Sequence, residues 1–118
     1  MKVLIVDDSR MIKLLVKDFL KNLGHEAFEA ENGQEALEVT EFVKPDIILL
    51  DYNMPIMDGP TFLKHYKGAN GGAALVIMMT TESSMEKINE VISLGAAEYM
   101  MKPFDQTILA EKIAQVLG

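Results

Sequence analysis

The chain has no cysteine, so neither a disulfide framework nor a thiolate metal site is open to it. It has no tryptophan, and Arg10 is its single arginine. Eleven basic residues stand against eighteen acidic ones, a formal charge of −7, and the basic residues form no block. The cationic surface that recognition of a phosphate backbone requires is missing, so direct binding of nucleic acid is not expected. No stretch approaches the ~20 apolar residues that span a bilayer, so membrane insertion is not expected either. Met1-Lys2-Val3 run straight into a predicted strand and leave no room for a signal peptide. A reducing cytoplasm is the expected location. Heptad seams, internal repeats and low-complexity tracts are also lacking. What is there is 118 residues, 49% of them hydrophobic, which fits one domain with a proper core.

Short apolar runs alternate with longer amphipathic segments from end to end. Strands are predicted at 2–6, 26–30, 46–50, 74–79 and 98–101. Three of them are nearly all apolar, as suits strands buried on both faces of a parallel sheet. The run at 26–30 alternates polar and apolar residues and fits an edge strand. Ile12, Leu15, Val16, Phe19, Leu20 and Leu23 recur at helical spacing, with Gly24 placed to end the helix. Asn32 and Glu35 stand in capping-box register for a second helix, which must stop near Val43 because of Pro45. A third begins around Asp58 with Pro60 in its first turn, and Gly68, Gly71 and Gly72 break the chain after it. Ser83 and Glu86 form a further capping box for a helix through Leu94, ending at Gly95. Asp105 caps the last helix, in which Ile108, Leu109, Ile113, Val116 and Leu117 share a face. Five strands and five helices in strict alternation imply an α/β fold, a parallel sheet covered by helices on both sides. Ligands of such sheets bind at the carboxyl ends of the strands.

Four charged residues fall at that edge. Asp7 and Asp8 follow Val3-Leu4-Ile5-Val6, Asp51 follows Ile47-Ile48-Leu49-Leu50, and Lys102 follows Glu98-Tyr99-Met100-Met101. At an effective dielectric of ~20, each pair of like charges about 4 Å apart costs roughly 4 kcal/mol. Folding supplies no reason for such a cluster; a divalent cation and a phosphoryl group do. Hard cations such as Mg²⁺ take oxygen ligands. Asp8, Asp51 and the backbone carbonyl of Asn53 are candidates, with Asp7 acting through a water and Mn²⁺ as a possible substitute ion. Aspartate is also a competent covalent acceptor of a phosphoryl group. Lys102 and the hydroxyl of Thr80, at the end of Val76-Ile77-Met78-Met79, can hold further phosphoryl oxygens.

Four motifs in order, each at a predicted strand end, carry a resemblance: Leu4-Ile5-Val6-Asp7-Asp8-Ser9, Asp51-Tyr52-Asn53-Met54-Pro55-Ile56-Met57-Asp58-Gly59, Thr80-Thr81 and Lys102-Pro103-Phe104. Over essentially its whole length the chain resembles a response-regulator receiver domain of the single-domain, chemotaxis (CheY-like) kind. The resemblance implies a flavodoxin-like (βα)5 fold with strand order 2-1-3-4-5, over residues 1–118 and without an output domain. It implies a two-component signalling role in which a sensor histidine kinase phosphorylates Asp51 in a Mg²⁺-dependent reaction. Asp7 and Asp8 then resemble the acidic pair that holds the metal. Thr80, with Thr81 beside it, and Lys102 resemble the phosphoryl-binding group. Thr80 and Tyr99 resemble the switch pair, and the bond before Pro103 is expected to be cis. Asn53 and Glu82 match the positions that tune phosphoryl lifetime and imply self-dephosphorylation within seconds to minutes. Thr81 departs from the small residue usual in the family, and Ala74-Leu75 from the usual proline entering the fourth strand.

With no output domain, signalling is expected through protein binding, on a face around Glu90, Tyr99 and Lys112, by a monomer or a weak phosphorylation-dependent dimer. The flagellar motor switch is the first candidate target. A phosphorelay intermediate, passing its phosphoryl group to a histidine phosphotransfer protein, is the close alternative. No separate substrate turnover is expected. An aspartyl-phosphate phosphatase of the haloacid-dehalogenase type would place its nucleophile after the first strand in an Asp-x-Asp pattern, which Asp51-Tyr52-Asn53 does not match. A flavin mononucleotide carrier would find Asp7 and Asp8 repelling its phosphate. His25 and His65 lack partners at metal-ligand spacing and are expected on the surface, and most of the nine methionines are expected in the core.

Overall fold

The computed structural model describes residues 1–69, 71–82 and 84–118. Five strands, β1 (Lys2–Val6), β2 (Glu26–Ala30), β3 (Ile47–Asp51), β4 (Leu75–Thr80) and β5 (Glu98–Met101), alternate with α1 (Arg10–Asn22), α2 (Gly33–Val43), α3 (Gly59–Leu63), α4 (Met85–Ser93) and α5 (Gln106–Leu117). All strand pairs are parallel, in the order β2-β1-β3-β4-β5. The apolar runs of β1, β3 and β4 lie inside this sheet, and the alternating run of β2 forms one edge. No helix of the described residues is long and apolar enough to cross a membrane.

Two apolar layers sandwich the sheet. Leu4, Val6, Ile48, Leu50, Val76 and Met78 face Ala36, Phe62, Leu63 and Val91 from the helices of one side. Val3, Ile5, Leu49, Ile77 and Met79 face Val16, Leu20, Leu109 and Ile113 of α1 and α5. Neighbouring strand residues therefore serve opposite layers, the period-2 rule with both faces covered.

Side-chain caps start each helix. Ser9, Asn32, Asp58, Ser84 and Asp105 each accept a hydrogen bond from the backbone N–H three residues on, satisfying donors a helix start leaves unpaired. The expected caps at Asn32 and Asp105 are correct, and Asp58, where the third helix was expected to begin, caps α3. The expected Ser83–Glu86 box falls on Ser83, which lies outside the described residues; Ser84 caps α4, accepting from the Lys87 N–H. Strands β3 and β4 also run one residue further than expected, so Asp51 and Thr80 are strand residues rather than the first residues of loops. α3 is only one turn of α-helix; a π-helical segment, Lys64–Ala69, continues it.

The apolar stripe of α1 was misread at one position. Leu15 is exposed, while Lys13 is buried, with Nζ 3.7 Å from Glu31. Lysine can lay its four-carbon stem along an apolar surface and still bring its charge to a carboxylate, which a hydropathy pattern does not register. In α5, likewise, only Leu109 and Ile113 are buried; Ile108 and Leu117 are exposed.

Gly59 matters most for the site. A β-carbon there would sit 2.6 Å from the Asp51 carbonyl oxygen and 3.1 Å from the Tyr52 α-carbon. Both are backbone atoms that cannot swing aside, and the Gly59 N–H donates to the Tyr52 carbonyl at 3.0 Å. The start of α3 thus leans directly on the end of β3. Gly59→Ala is expected to destabilise the fold by about 1–3 kcal/mol through overpacking, measurable as a lower denaturant midpoint, and to weaken any ligand binding at Asp51.

Candidate functional site

Strand register alone brings the charged residues together. Val6 pairs with Leu50, so Asp7 is level with Asp51. Asp51 pairs with Met79 and Thr80 with Met101, so Thr80 and Lys102 stand one step and two steps further along the same edge. Asp8 begins the turn into α1. One carboxylate oxygen each from Asp7, Asp8 and Asp51 lie within 4.8 Å of one another, Asp7 and Asp51 buried and Asp8 exposed.

Lys102 holds the cluster together. Its Nζ donates to Asp7 Oδ2 at 2.7 Å and to Asp51 Oδ1 at 3.1 Å. The other oxygen of Asp7 accepts the Ser9 N–H at 2.9 Å, which fixes that carboxylate's orientation. The Lys102–Pro103 peptide is cis, as expected. Asp51 is 7% exposed. Burial, and then the charge of Asp7, push its pKa above the ordinary carboxylate value, while Lys102 pulls in the opposite direction. Burial opposes the charge on Lys102, but hydrogen bonding to Asp7 and the charges of Asp51 and Asp7 outweigh it, so its pKa is raised.

The cluster's donors are all oxygen, anionic and close-set, the ligand chemistry of a hard divalent cation rather than a soft one. Asp8, the exposed member, leaves the group open to solvent, as an ion that retains waters requires. Asp7, Asp8 and Asp51 therefore fit Mg²⁺.

The other expected site residues are arranged less directly. Met78 and Tyr99 pair in register and share the sheet face that α4 covers; Thr80, two residues beyond Met78, shares it too. Its hydroxyl accepts the Glu82 N–H at 3.0 Å and lies 3.3 Å from the Glu82 carbonyl, so Glu82, not Lys102 or Asp51, is its partner in this structure. Thr80, Tyr99, Met78, Ile88 and Val91 help to line a cavity of about 10 Å³, room for roughly one water and not for a tyrosine ring. Thr81 and Asn53 are exposed. The Glu82 carboxylate pairs with Lys87 at 2.7 Å. On the expected partner face, Lys112 Nζ lies 5.2 Å from the Tyr99 ring centroid and 3.6 Å from Glu98.

Glu90 has a partner that sequence reasoning missed. The Tyr52 hydroxyl donates to Glu90 Oε1 at 2.5 Å, and Lys87 Nζ sits 5.1 Å from the Tyr52 ring centroid. The hydrogen bond to Glu90, and then burial, push the Tyr52 pKa up to about 12. Lys87 and Glu90, one helical turn apart, share a helix face, but nothing local in the sequence ties that face to Tyr52. His25 lies partly exposed at the surface; burial, and then the N-terminal ammonium, lower its pKa.

A carboxyl whose pKa is raised on folding contributes stability that is complete below its unfolded value and lost as pH rises through the folded one. Each unit of such a shift corresponds to about 1.4 kcal/mol. In metal-free buffer, Asp51→Asn is therefore expected to melt higher than wild type at neutral pH, with the difference shrinking as pH falls toward the ordinary carboxylate range. Asp7 remains as a partner for Lys102 in that variant. Excess Mg²⁺ is expected to reverse the order by raising the wild-type melting temperature; thermal denaturation across pH, with and without Mg²⁺, checks both.

Similarity to known proteins places the chain in a family. The sequence model of the response regulator receiver domain matches residues 3–114. The chain is 36% identical to chemotaxis protein CheY1 of Helicobacter pylori, over 100% of this chain and 98% of that protein. It is 35% identical to sporulation initiation phosphotransferase F of Bacillus subtilis, over 98% of this chain and 93% of that one. It is also 36% identical to protein-glutamate methylesterase/protein-glutamine glutaminase of Archaeoglobus fulgidus, of which it covers only 34%. Its fold superposes on that of chemotaxis protein CheY4 of Vibrio cholerae with a TM-score of 0.92, at 36% identity, covering 98% of this chain and 97% of that one. With its sheet order, its acidic edge and its bridging lysine, the chain belongs to the family of response regulator receiver domains.

Proposed function

We propose that residues 1–118 act as one receiver unit in which Asp51 accepts a phosphoryl group from a protein phosphohistidine. The observation that carries this is the state of Asp51: nearly buried at a strand end, hydrogen-bonded by Lys102, and crowded by Asp7 and Asp8. A carboxylate oxygen of Asp51 attacks phosphorus, the P–N bond to imidazole breaks as the P–O bond forms, and the leaving nitrogen takes up a proton. Lys102 favours the ionised carboxylate that the attack needs and is placed to follow the charge onto the new phosphoryl oxygens. Mg²⁺ held by Asp7, Asp8, Asp51 and the Asn53 carbonyl would supply further neutralisation of that charge.

Once the acceptor is esterified, Lys102 and the hydroxyl of Thr80 are the groups available to the phosphoryl oxygens, with Thr81 at the mouth. Movement of Thr80 would break its bonds to the Glu82 backbone and open space beside Tyr99. Phosphorylation thus biases an equilibrium between two arrangements of the α4 side of the sheet. The face bearing Glu90, Tyr99 and Lys112 is our choice for the partner surface, and Asn53 and Glu82 our choice for tuning the lifetime. The similarity to chemotaxis proteins supports a chemotactic role, with a flagellar motor component as target and the cytoplasm as location. The similarity to sporulation initiation phosphotransferase F supports the second reading, a relay that hands the group to a phosphotransfer protein.

Acetyl phosphate with Mg²⁺ is expected to add one phosphoryl group to wild type, seen by intact mass, and none to Asp51→Asn. Omission of Mg²⁺, or Asp8→Asn, should slow the gain by about two orders of magnitude, the range expected when a charge-stabilising group is lost. The label should decay within minutes after the donor is removed. Persistence for hours would contradict the roles given to Asn53 and Glu82. A pull-down in the two states, comparing wild type with Tyr99→Ala, would then separate motor and phosphotransfer partners.

A further inference from the structure

The loop between β3 and α3 holds an unusual residue. The Met57 N–H donates to the Pro55 carbonyl at 2.7 Å, closing a three-residue turn with Ile56 at its centre, φ 69°. This is the positive-φ form of the γ-turn, the rarer and strained one. A β-branched side chain in that region crowds the backbone, and glycine or asparagine would sit there at less cost. The loop cannot relax easily. The Pro55 ring fixes one side. On the other, the Met57 carbonyl accepts the Gly33 N–H at 3.0 Å and Asp58 caps α3. Ile56 gains no packing in return, for it is 82% exposed. Nothing in the fold is served by an apolar, branched residue held strained in water.

Its place offers the reason. Ile56 lies five residues beyond Asp51 on the carboxyl edge. Met11, in the first turn of α1, is 78% exposed, and Met85, the first residue of α4, is 68% exposed; both stand on the same edge. Among the described residues, these are three of the four most exposed large apolar side chains. The fourth, Phe42 at 87%, lies in the last turn of α2, at the opposite edge. A protein that delivers a phosphoryl group to nearly buried Asp51 has to cover the residues that rim it.

We propose that Ile56 is a docking anchor for the protein phosphodonor. It presses into apolar surface beside the donor's phosphohistidine, with Met11 and Met85 completing an apolar rim around the acidic centre. The strain keeps the side chain presented, so little freedom is lost on binding. This rests on the reading of Asp51 as acceptor of a group from a protein histidine.

The test compares wild type, Ile56→Gly, Ile56→Asn and Phe42→Ser with two donors. One is acetyl phosphate. The other is the autophosphorylated core of whichever kinase, in a panel of purified histidine kinases, phosphorylates wild type fastest. Both Ile56 variants are expected to melt a few degrees higher than wild type and to react normally with acetyl phosphate. Transfer from the kinase should fall about tenfold or more in both, the loss expected for an interface anchor, and stay unchanged in Phe42→Ser. Undiminished transfer to the Ile56 variants overturns the proposal, as does an equal loss in Phe42→Ser. A parallel loss with acetyl phosphate also overturns it, because the loop would then be shaping the acceptor site. So does a wild type that reacts with acetyl phosphate and with no kinase. A wild type inert to acetyl phosphate fails earlier, at the acceptor role of Asp51 itself.

Discussion

The repulsion among Asp7, Asp8 and Asp51, and its partial relief by one ammonium group, is the constraint around which this chain is organised. Lys102 touches two of the three carboxylates, leaving excess negative charge at the edge of the sheet. Burial keeps the surrounding dielectric low, so the imbalance is strongly felt. Such an edge is stable enough to fold and gains from any cation that arrives. Burial, and then the charge of Asp7, raise the pKa of Asp51 while Lys102 restrains it. A carboxylate held this way is ready to be neutralised by a metal or consumed by phosphorylation.

The rest of the fold keeps that cluster in register. Apolar runs in β1, β3 and β4 fix the strands side by side, and one residue of slip would carry every side chain to the other face. Gly59 lets α3 press onto the backbone at Asp51, so that residue is braced from below. From Tyr52, the next residue, a chain of contacts runs to α4: the phenol to Glu90, the ring to Lys87, and Lys87 to Glu82, whose backbone binds Thr80. The end of β3 and the face bearing Glu90 are therefore in physical contact through α4. A local change of charge has a short path to a surface that another protein can read.

Much of this was legible in the sequence, for identifiable reasons. Continuous apolar runs mark strands buried on both faces, and Asn32, Asp58 and Asp105 mark helix starts because their side chains satisfy otherwise unpaired N–H groups. The meeting of Asp7, Asp8, Asp51 and Lys102 could be read because each follows an apolar run, and parallel strands bring their carboxyl ends to one edge. Other features were not readable. Lys13 is buried and Leu15 exposed because the stem of a lysine packs like an apolar residue, a property of its surroundings rather than of its hydropathy. Two serines in a row left the start of α4 ambiguous by one residue. The Tyr52–Glu90 contact joins residues 38 positions apart, and no local pattern encodes it.

By itself the sequence determined the order of elements, the approximate span of each strand and the identity of the charged residues, because each follows from short-range periodicity and side-chain chemistry. Only the tertiary structure decided which face each residue serves, which hydroxyl partners which backbone group, and that Ile56 stands strained and exposed. Those outcomes depend on register and close packing between distant segments, where a fraction of an ångström separates a contact from a clash.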